Sequence, residues 1–331
     1  MEYIYELHGN RMNFLLIRTD FLGDAVLTNT FIKMLSCSTS SNIDVLCTSY
    51  NFKAFKYNPY IRSLYIDNYN FSNENKTNYQ AIFILNRSLL NYKKIKKINT
   101  KKIIGHKLGI KSIRSKFFYL QTTLLSKYKY IEYDNNIHEV RNQFKLLYYA
   151  AKEFNFLNKL NLDEKSYFYT HNYNPENNYT KDNNSVVINI SGRKTSLKYI
   201  PLSLVRNIIE DLLILKKSIL VIGTEEDKDK LDKLLEYFGQ NISIYIDDDI
   251  FNLVSKFYTY KYFISADGGL MHVAAGLNMH CIALFHDQNI TAWHPWSKNQ
   301  ICLQNNQHRI YDLTSEDVIK AILKFEESNL N

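Results

Sequence analysis

The sequence predicts an α/β protein built from two Rossmann-like, doubly wound domains, and three observations carry that expectation. Short aliphatic runs alternate with amphipathic helical stretches along the chain, the pattern of parallel sheets wound with crossover helices. The alternation breaks once, at 171–184, where Asn172, Asn174, Asn177, Asn178, Asn183, Asn184 and Pro175 crowd a stretch with almost no aliphatic residues. The 331 residues, 45% apolar and 14% aromatic, suffice for two cores and exclude a disordered chain. The expected division is a first domain at 1–170, a linker at 171–184 and a second domain at 185–331.

The elements follow in order. Asn13-Phe-Leu-Leu-Ile-Arg18 is an apolar run of strand length, and a glycine-bearing turn leads into Ala25, Val26, Leu27, Phe31, Ile32 and Leu35 at helical spacing. Ile43 to Cys47, Ala81 to Leu85 and Lys102 to Gly105 read as strands, and Val140 to Phe154 as an amphipathic helix. After the Asn-rich stretch the pattern restarts. Strands are expected at Val186 to Ile190, Ser218 to Gly223, Tyr262 to Ser265 and Cys281 to Phe285, and helices at Ser203 to Leu215, Glu225 to Phe238 and Leu270 to Leu277. Thr314-Ser-Glu-Asp317 has the spacing of a capping box before Val318 to Phe325, so a last helix closes the chain.

Charge is unevenly placed. Residues 1–170 carry 25 Lys and Arg against 13 Asp and Glu, whereas 171–331 carry 16 against 20. No acidic residue lies between Glu74 and Glu132, a stretch with 14 basic ones. Such a face attracts phosphates or anionic lipid, and a solvated basic surface in a Lys-rich chain explains it equally well. Within Lys93 to Lys129, Ile95, Ile98, Ile103, Ile104, Phe117 and Phe118 could add apolar membrane contact, although core positions account for most such residues. No window nears 18 consecutive apolar residues, so neither a spanning helix nor a cleaved secretion signal is expected. Cys37, Cys47, Cys281 and Cys302 lack C-x-x-C spacing and read as reduced thiols in a cytosol. His280, His286 and His294 are spaced too widely to argue for a metal, and neither G-x-G-x-x-G after the first strand nor a P-loop occurs.

Ligands of doubly wound domains sit at the carboxyl ends of the strands, so three loops deserve chemistry. In Arg18-Thr-Asp-Phe-Leu-Gly-Asp-Ala25, Gly23 permits a tight turn and Asp24 opens the helix, where a carboxylate can accept a proton. On residue type alone Asp24 is first an N-cap, and Asp20 competes with it in the same loop. Ser191-Gly-Arg-Lys-Thr-Ser-Leu-Lys-Tyr-Ile-Pro201 offers cations and hydroxyls for a diphosphate, or is an exposed basic turn. Ser265-Ala-Asp-Gly-Gly-Leu-Met-His-Val-Ala-Ala275 brings two glycines to a helix N-terminus, a ready anion site; Asp267 as a simple cap and His272 as a packed histidine are the plainer readings.

Together these loops resemble glycosyltransferase family 9, the bacterial heptosyltransferases of the lipopolysaccharide inner core. The marks are Ile17-Arg-Thr-Asp-Phe-Leu-Gly-Asp24 with Leu27-Thr28, His138-Glu-Val-Arg141, Lys198-Tyr-Ile-Pro201, Ser265-Ala-Asp-Gly-Gly-Leu-Met-His272, Ala283-Leu-Phe285 and Trp293-His-Pro-Trp-Ser297. The likeness spans nearly the whole chain and is thinnest over 50–130. His286 stands where relatives carry Gly, and Ile200 where they carry an aromatic residue.

The resemblance implies a GT-B fold, two Rossmann-like domains facing a central cleft, with the acceptor on the first and the sugar nucleotide on the second. It implies an inverting, metal-independent transfer of heptose from ADP-heptose to a lipopolysaccharide or lipooligosaccharide core acceptor, with no cofactor beyond the donor substrate. By position Asp24 becomes the general base. Ser191, Arg193, Lys198, Glu226, Asp267, Gly268, Gly269, Leu270, Met271 and His272 become donor contacts, and Arg18, Thr19, Asp20 and Gly23 fall on the acceptor side. Glu225 and Asp227 compete with Glu226 for the ribose. The implied partners are a sugar nucleotide, a phosphorylated lipid-linked saccharide and the inner membrane surface, not nucleic acid. The expected enzyme is a cytoplasmic monomer, peripheral on the inner membrane. Two rivals are a family relative using a different sugar nucleotide or acceptor and a non-catalytic anion-binding module, the latter explaining the charge but not the three loops.

Overall fold

The computed structural model describes residues 11–328 apart from 67–76, 87, 96–97, 108–121, 123–124, 126, 178, 193–197, 306 and 308. Arg193, Phe117 and Phe118 therefore lie outside the described residues. The first sheet contains β1 (Asn13–Ile17), β2 (Asn42–Cys47), β3 (Ser63–Ile66), β4 (Tyr79–Ile84), β5 (Thr100–His106) and β6 (Tyr128–Ile131), in the order β3-β2-β1-β4-β5-β6. The second contains β7 (Asp182–Asn189), β8 (Ser218–Gly223), β9 (Ser243–Ile246), β10 (Tyr260–Ala266), β11 (His280–Leu284) and β12 (Gln300–Leu303), in the order β12-β11-β10-β7-β8-β9. Every strand pair is parallel.

Helices connect the strands: α1 (Leu22–Thr39), α2 (Leu89–Lys94) and α3 (Glu139–Glu153) in the first half, then α4 (Leu202–Ile214), α5 (Lys228–Phe238), α6 (Ile250–Phe257), α7 (Gly269–Gly276), α8 (Ile290–Trp293) and α9 (Ser315–Ser328). The expected capping box opens α9, with Thr314 and Asp317 exchanging side-chain and backbone bonds. β7 begins at Asp182, so 182–184 run as strand rather than as linker.

The buried stretches of the central strands β1, β4, β7, β10 and β11 are mostly apolar because both faces of a parallel sheet are covered there, while β7 opens on the exposed Asp182, Asn183 and Asn184. The four edge strands β3, β6, β9 and β12 have four residues each, and their partly exposed positions mix polar with apolar residues. None has more than three consecutive apolar residues, short of the run that marks a buried strand, which is why the periodicity misses them. Ile95, Ile98, Ile103 and Ile104 are buried in the first half's core and are not available to a membrane. Among the described residues, no helix is long and apolar enough to cross one.

α1 lies between the two halves and is buried nearly all round. Its Asn29 donates to the carbonyls of Ala54 and Tyr167, both at 2.9 Å, so even its polar positions are paired inside the protein. The small residues of α7 let it pack close to α1, and Gly276 leaves no room for a side chain beneath the Phe168 backbone. Strand order reverses at β1/β4 in one sheet and at β7/β10 in the other. Such switch points open a crevice at the carboxyl ends of the strands. The three loops singled out above follow β1, β7 and β10.

Candidate active site

Those loops meet at a cleft of about 810 Å³ between the halves. The first half contributes Gly23 and Asp24, and the second contributes Ser191, Lys198, Glu226, Asp267, Gly268, Gly269, Leu270 and His272. Met271 is placed differently. Its side chain turns into the core with Ala283 and Phe285, about 100° round α7 from that of His272.

Asp24 does not cap α1. The N-cap is Phe21, with no side-chain cap bond, and the Asp24 carboxylate accepts instead from Arg18 Nη2 at 2.8 Å. Arg18 is 1% exposed and serves several acceptors at once. Nη1 reaches the Leu85 carbonyl at 3.1 Å and Glu139 Oε1 at 3.0 Å, and Nε lies 2.8 Å from Asp20 Oδ1. Leu85 follows β4 and Arg18 follows β1, so the switch point itself brings them together. Burial lowers the proton affinity of Arg18, but the three carboxylates outweigh it and hold the guanidinium firmly charged.

Glu139 is fixed from its other sides by Gln143 Nε2 at 3.1 Å and the Tyr133 hydroxyl at 2.8 Å. The start of α3 is held in turn by His138. Nδ1 of His138 accepts from the Val140 N–H, so Nε2 carries the proton and donates to the His294 carbonyl at 2.9 Å. The ring stacks on Trp296 at 4.5 Å, and burial, with His294 adding to it, keeps its pKa down at about 2. A neutral histidine thereby ties α3 to the second half.

Of the two aspartates in the first loop, Asp24 lines the cleft and Asp20 does not, meeting Arg18 at Nε instead. Burial lifts the Asp20 carboxyl from its usual 3.8 to about 7; Arg18 opposes the rise, while Asp24 and Glu139 add to it. A carboxyl whose folded value exceeds its unfolded one takes up a proton on folding. Its favourable contribution is complete below about pH 4 and is lost as the pH rises through 7. Asp20→Asn, which mimics the neutral form, is therefore expected to unfold at higher urea than the parent, by a margin that grows from pH 5 to pH 8. A margin independent of pH would contradict this assignment. Thr19 points elsewhere, its hydroxyl accepting from Asn86 and Asn91.

Across the cleft, Lys198 Nζ pairs with Asp267, which follows β10. Lys198 comes close because Gly192 admits its backbone; a Cβ on Gly192 would stand 1.7 Å from the Lys198 carbonyl oxygen. Ser191 is fastened by its hydroxyl to Asp227 Oδ2 at 2.7 Å. Asp227 also closes a capping box with Thr224 and accepts from Lys230 at 2.7 Å; these bonds outweigh its burial and pull its pKa down. Both Glu226 and Asp227 line the cleft, but Asp227 is spent on structure, which leaves Glu226 as the carboxylate not bound into the cap.

The N-termini of α1 and α7 approach each other at the centre. A Cβ on Gly23 would lie 2.7 Å from His272 Cδ2, so only glycine admits the ring there. Burial holds His272 down at about 4 although Asp24 pulls the other way, so the imidazole is neutral at pH 7. Gly268 caps α7 without a side chain, leaving the first amides of α7 to whatever occupies the cleft. The result is a carboxylate on one wall and a lysine with a helix N-terminus on the other. Such a site can take a proton from one reactant and stabilise negative charge on another.

Tyr50, Asp248, Gln288 and Trp293 also line the cleft and carried no assigned role in the sequence. Tyr50 falls where the family likeness is thinnest, and Asp248 sits in a run of three aspartates that nothing local tells apart. Glu139 was legible only as part of His138-Glu-Val-Arg141.

The family model for glycosyltransferase family 9 (heptosyltransferase) matches residues 104–322. A search of curated proteins returns no match. Among solved structures, the glycosyl transferase family 9 protein from Veillonella parvula superimposes with a TM-score of 0.73 at 15% identity, covering 95% of this chain and 97% of that one. E. coli heptosyltransferase WaaC with ADP gives 0.70 at 16% identity, with 95% and 99% covered. E. coli ADP-heptose LPS heptosyltransferase II gives 0.70 at 14% identity, with 95% and 100% covered. These likenesses identify two facing doubly wound sheets as the GT-B architecture. With the match over 104–322, they place this chain in glycosyltransferase family 9, the heptosyltransferase family, and make it a glycosyltransferase.

Proposed function

We propose that the protein transfers heptose from ADP-heptose to a lipopolysaccharide or lipooligosaccharide core acceptor, with inversion at the anomeric carbon. The observation that carries the reading is that Asp24, 14% exposed and held by Arg18, lines one cleft with Lys198 and the N-terminus of α7. Asp24 takes the proton of the acceptor hydroxyl, whose oxygen attacks the anomeric carbon from the face opposite the diphosphate. The bond from that carbon to the diphosphate breaks, and the charge left on ADP is met by Lys198 and the first amides of α7. Glu226 accepts from the ribose hydroxyls, and Ser191 and Arg193 belong to the same donor loop. No metal has a part in this reading.

The acceptor is a phosphorylated, lipid-linked saccharide presented at the inner membrane, where the basic excess of residues 1–170 favours a peripheral, monomeric enzyme on the cytoplasmic face. Since the isoleucines of 95–104 are core, that contact is electrostatic. The test is ADP release from ADP-heptose with and without a lipid A core acceptor. Acceptor-dependent release supports the reading. Release from a different sugar nucleotide moves the donor, and the absence of binding by any sugar nucleotide overturns it.

A further inference from the structure

The three consecutive aspartates after β9 are not equivalent. Asp247 accepts from the N–H of Asp249, from Asn252 and from the Tyr245 hydroxyl. Asp249 caps α6 through the N–H of Phe251 at 2.8 Å and pairs with Lys53 Nζ at 2.9 Å. Both hold the turn in place. Asp248 is exposed, lines the cleft, and accepts through Oδ1 from the Glu225 N–H at 3.3 Å; Oδ2 has no protein donor among the described residues.

Tyr50 lines the same cleft from the first half and is 61% exposed. Its turn is rigid, because buried Asn51 accepts from the N–H and hydroxyl of Thr48 and donates to the carbonyls of Arg18 and Asp20. Tyr50 stands three residues before Lys53, and Asp248 one before Asp249. The Lys53–Asp249 pair, reinforced by the Tyr57–Phe251 ring contact at 5.0 Å, therefore pins the Tyr50 turn to the Asp248 turn.

We propose that Tyr50 and Asp248 form the nucleobase end of the donor site, Tyr50 stacking on the base and Asp248 selecting one that carries an exocyclic amine. The proposal rests on the reading of the cleft as a nucleoside-diphosphate sugar site. An exposed aromatic ring on a rigid turn offers a π-face that any base can cover. An ionised carboxylate only accepts, so it pairs with N–H groups and repels a base edge made of carbonyls. Adenine, cytosine and guanine each bear an amino group, whereas uracil shows a single N–H between two carbonyl oxygens. Glu226, facing the ribose, meets hydroxyls common to all four nucleotides and so does not discriminate among them.

Calorimetric titration of the full chain with ADP, GDP, CDP and UDP tests this. UDP is expected to bind about tenfold more weakly than the tightest amino-bearing nucleotide. Asp248→Asn, whose amide both donates and accepts, closes that gap by strengthening UDP. Tyr50→Ala weakens all four about tenfold without changing their order, and Tyr50→Phe restores them. Equal binding of UDP by the parent, or an unchanged ratio in Asp248→Asn, overturns the proposal while leaving the donor-site reading intact. Binding of none of the four overturns both.

Discussion

Asp24→Asn is expected to lower the rate of sugar transfer about 10³-fold in a single turnover while leaving ADP affinity and the urea midpoint close to the parent's. The amide keeps the shape of the side chain, and its oxygen can still accept from Arg18 Nη2, so the loop and the α1–α7 approach survive. What it cannot do is take a proton from an attacking hydroxyl. The separation of turnover from donor binding is the informative part, because Lys198 and the amides of α7 stand on the opposite wall and do not depend on Asp24. A variant with full turnover would remove Asp24 from the role of base. A variant that loses ADP affinity in proportion to turnover would make it a structural residue.

The second large effect concerns Arg18. Arg18→Met is expected to cost about 3–5 kcal/mol of stability, read from the urea midpoint, because it strands Asp20, Asp24 and Glu139 near one another without their shared cation. Arg18→Lys should recover only part of the loss. An ammonium is a point charge on a flexible stem, and it cannot reproduce a planar fork that meets three carboxylates and the Leu85 carbonyl at once. Transfer should fall in both variants, since the carboxylate proposed as base loses its holder. Unchanged stability of Arg18→Met would show that the cluster contributes nothing net to the fold.

Much of this was legible along the chain, and the places where it was not share a cause. The buried strands announce themselves because both their faces must be apolar, and the glycines at 23 and 269 mark where the two helix starts have to come close. The edge strands β3, β6, β9 and β12 carry no such mark, since each has one pairing neighbour and a partly wetted face. Residue type alone ranked Asp24 first as an N-cap; what displaced that reading was Arg18, six residues earlier, whose guanidinium claims the carboxylate.

The sequence by itself determined the α/β class, the two doubly wound halves, the three loops after β1, β7 and β10 and the resemblance to family 9, because these follow from local periodicity and short-range spacing. Only the tertiary structure decided which acidic residues face the cleft. Asp24 lines it and Asp20 does not, Glu226 and Asp227 both line it but Asp227 is bound into a cap, and Asp248 lines it while Asp247 and Asp249 hold a turn. The physical reason is that neighbours in sequence have the same chemistry, and their roles are divided by partners far along the chain: Glu139 for Arg18, Ser191 for Asp227 and Lys53 for Asp249.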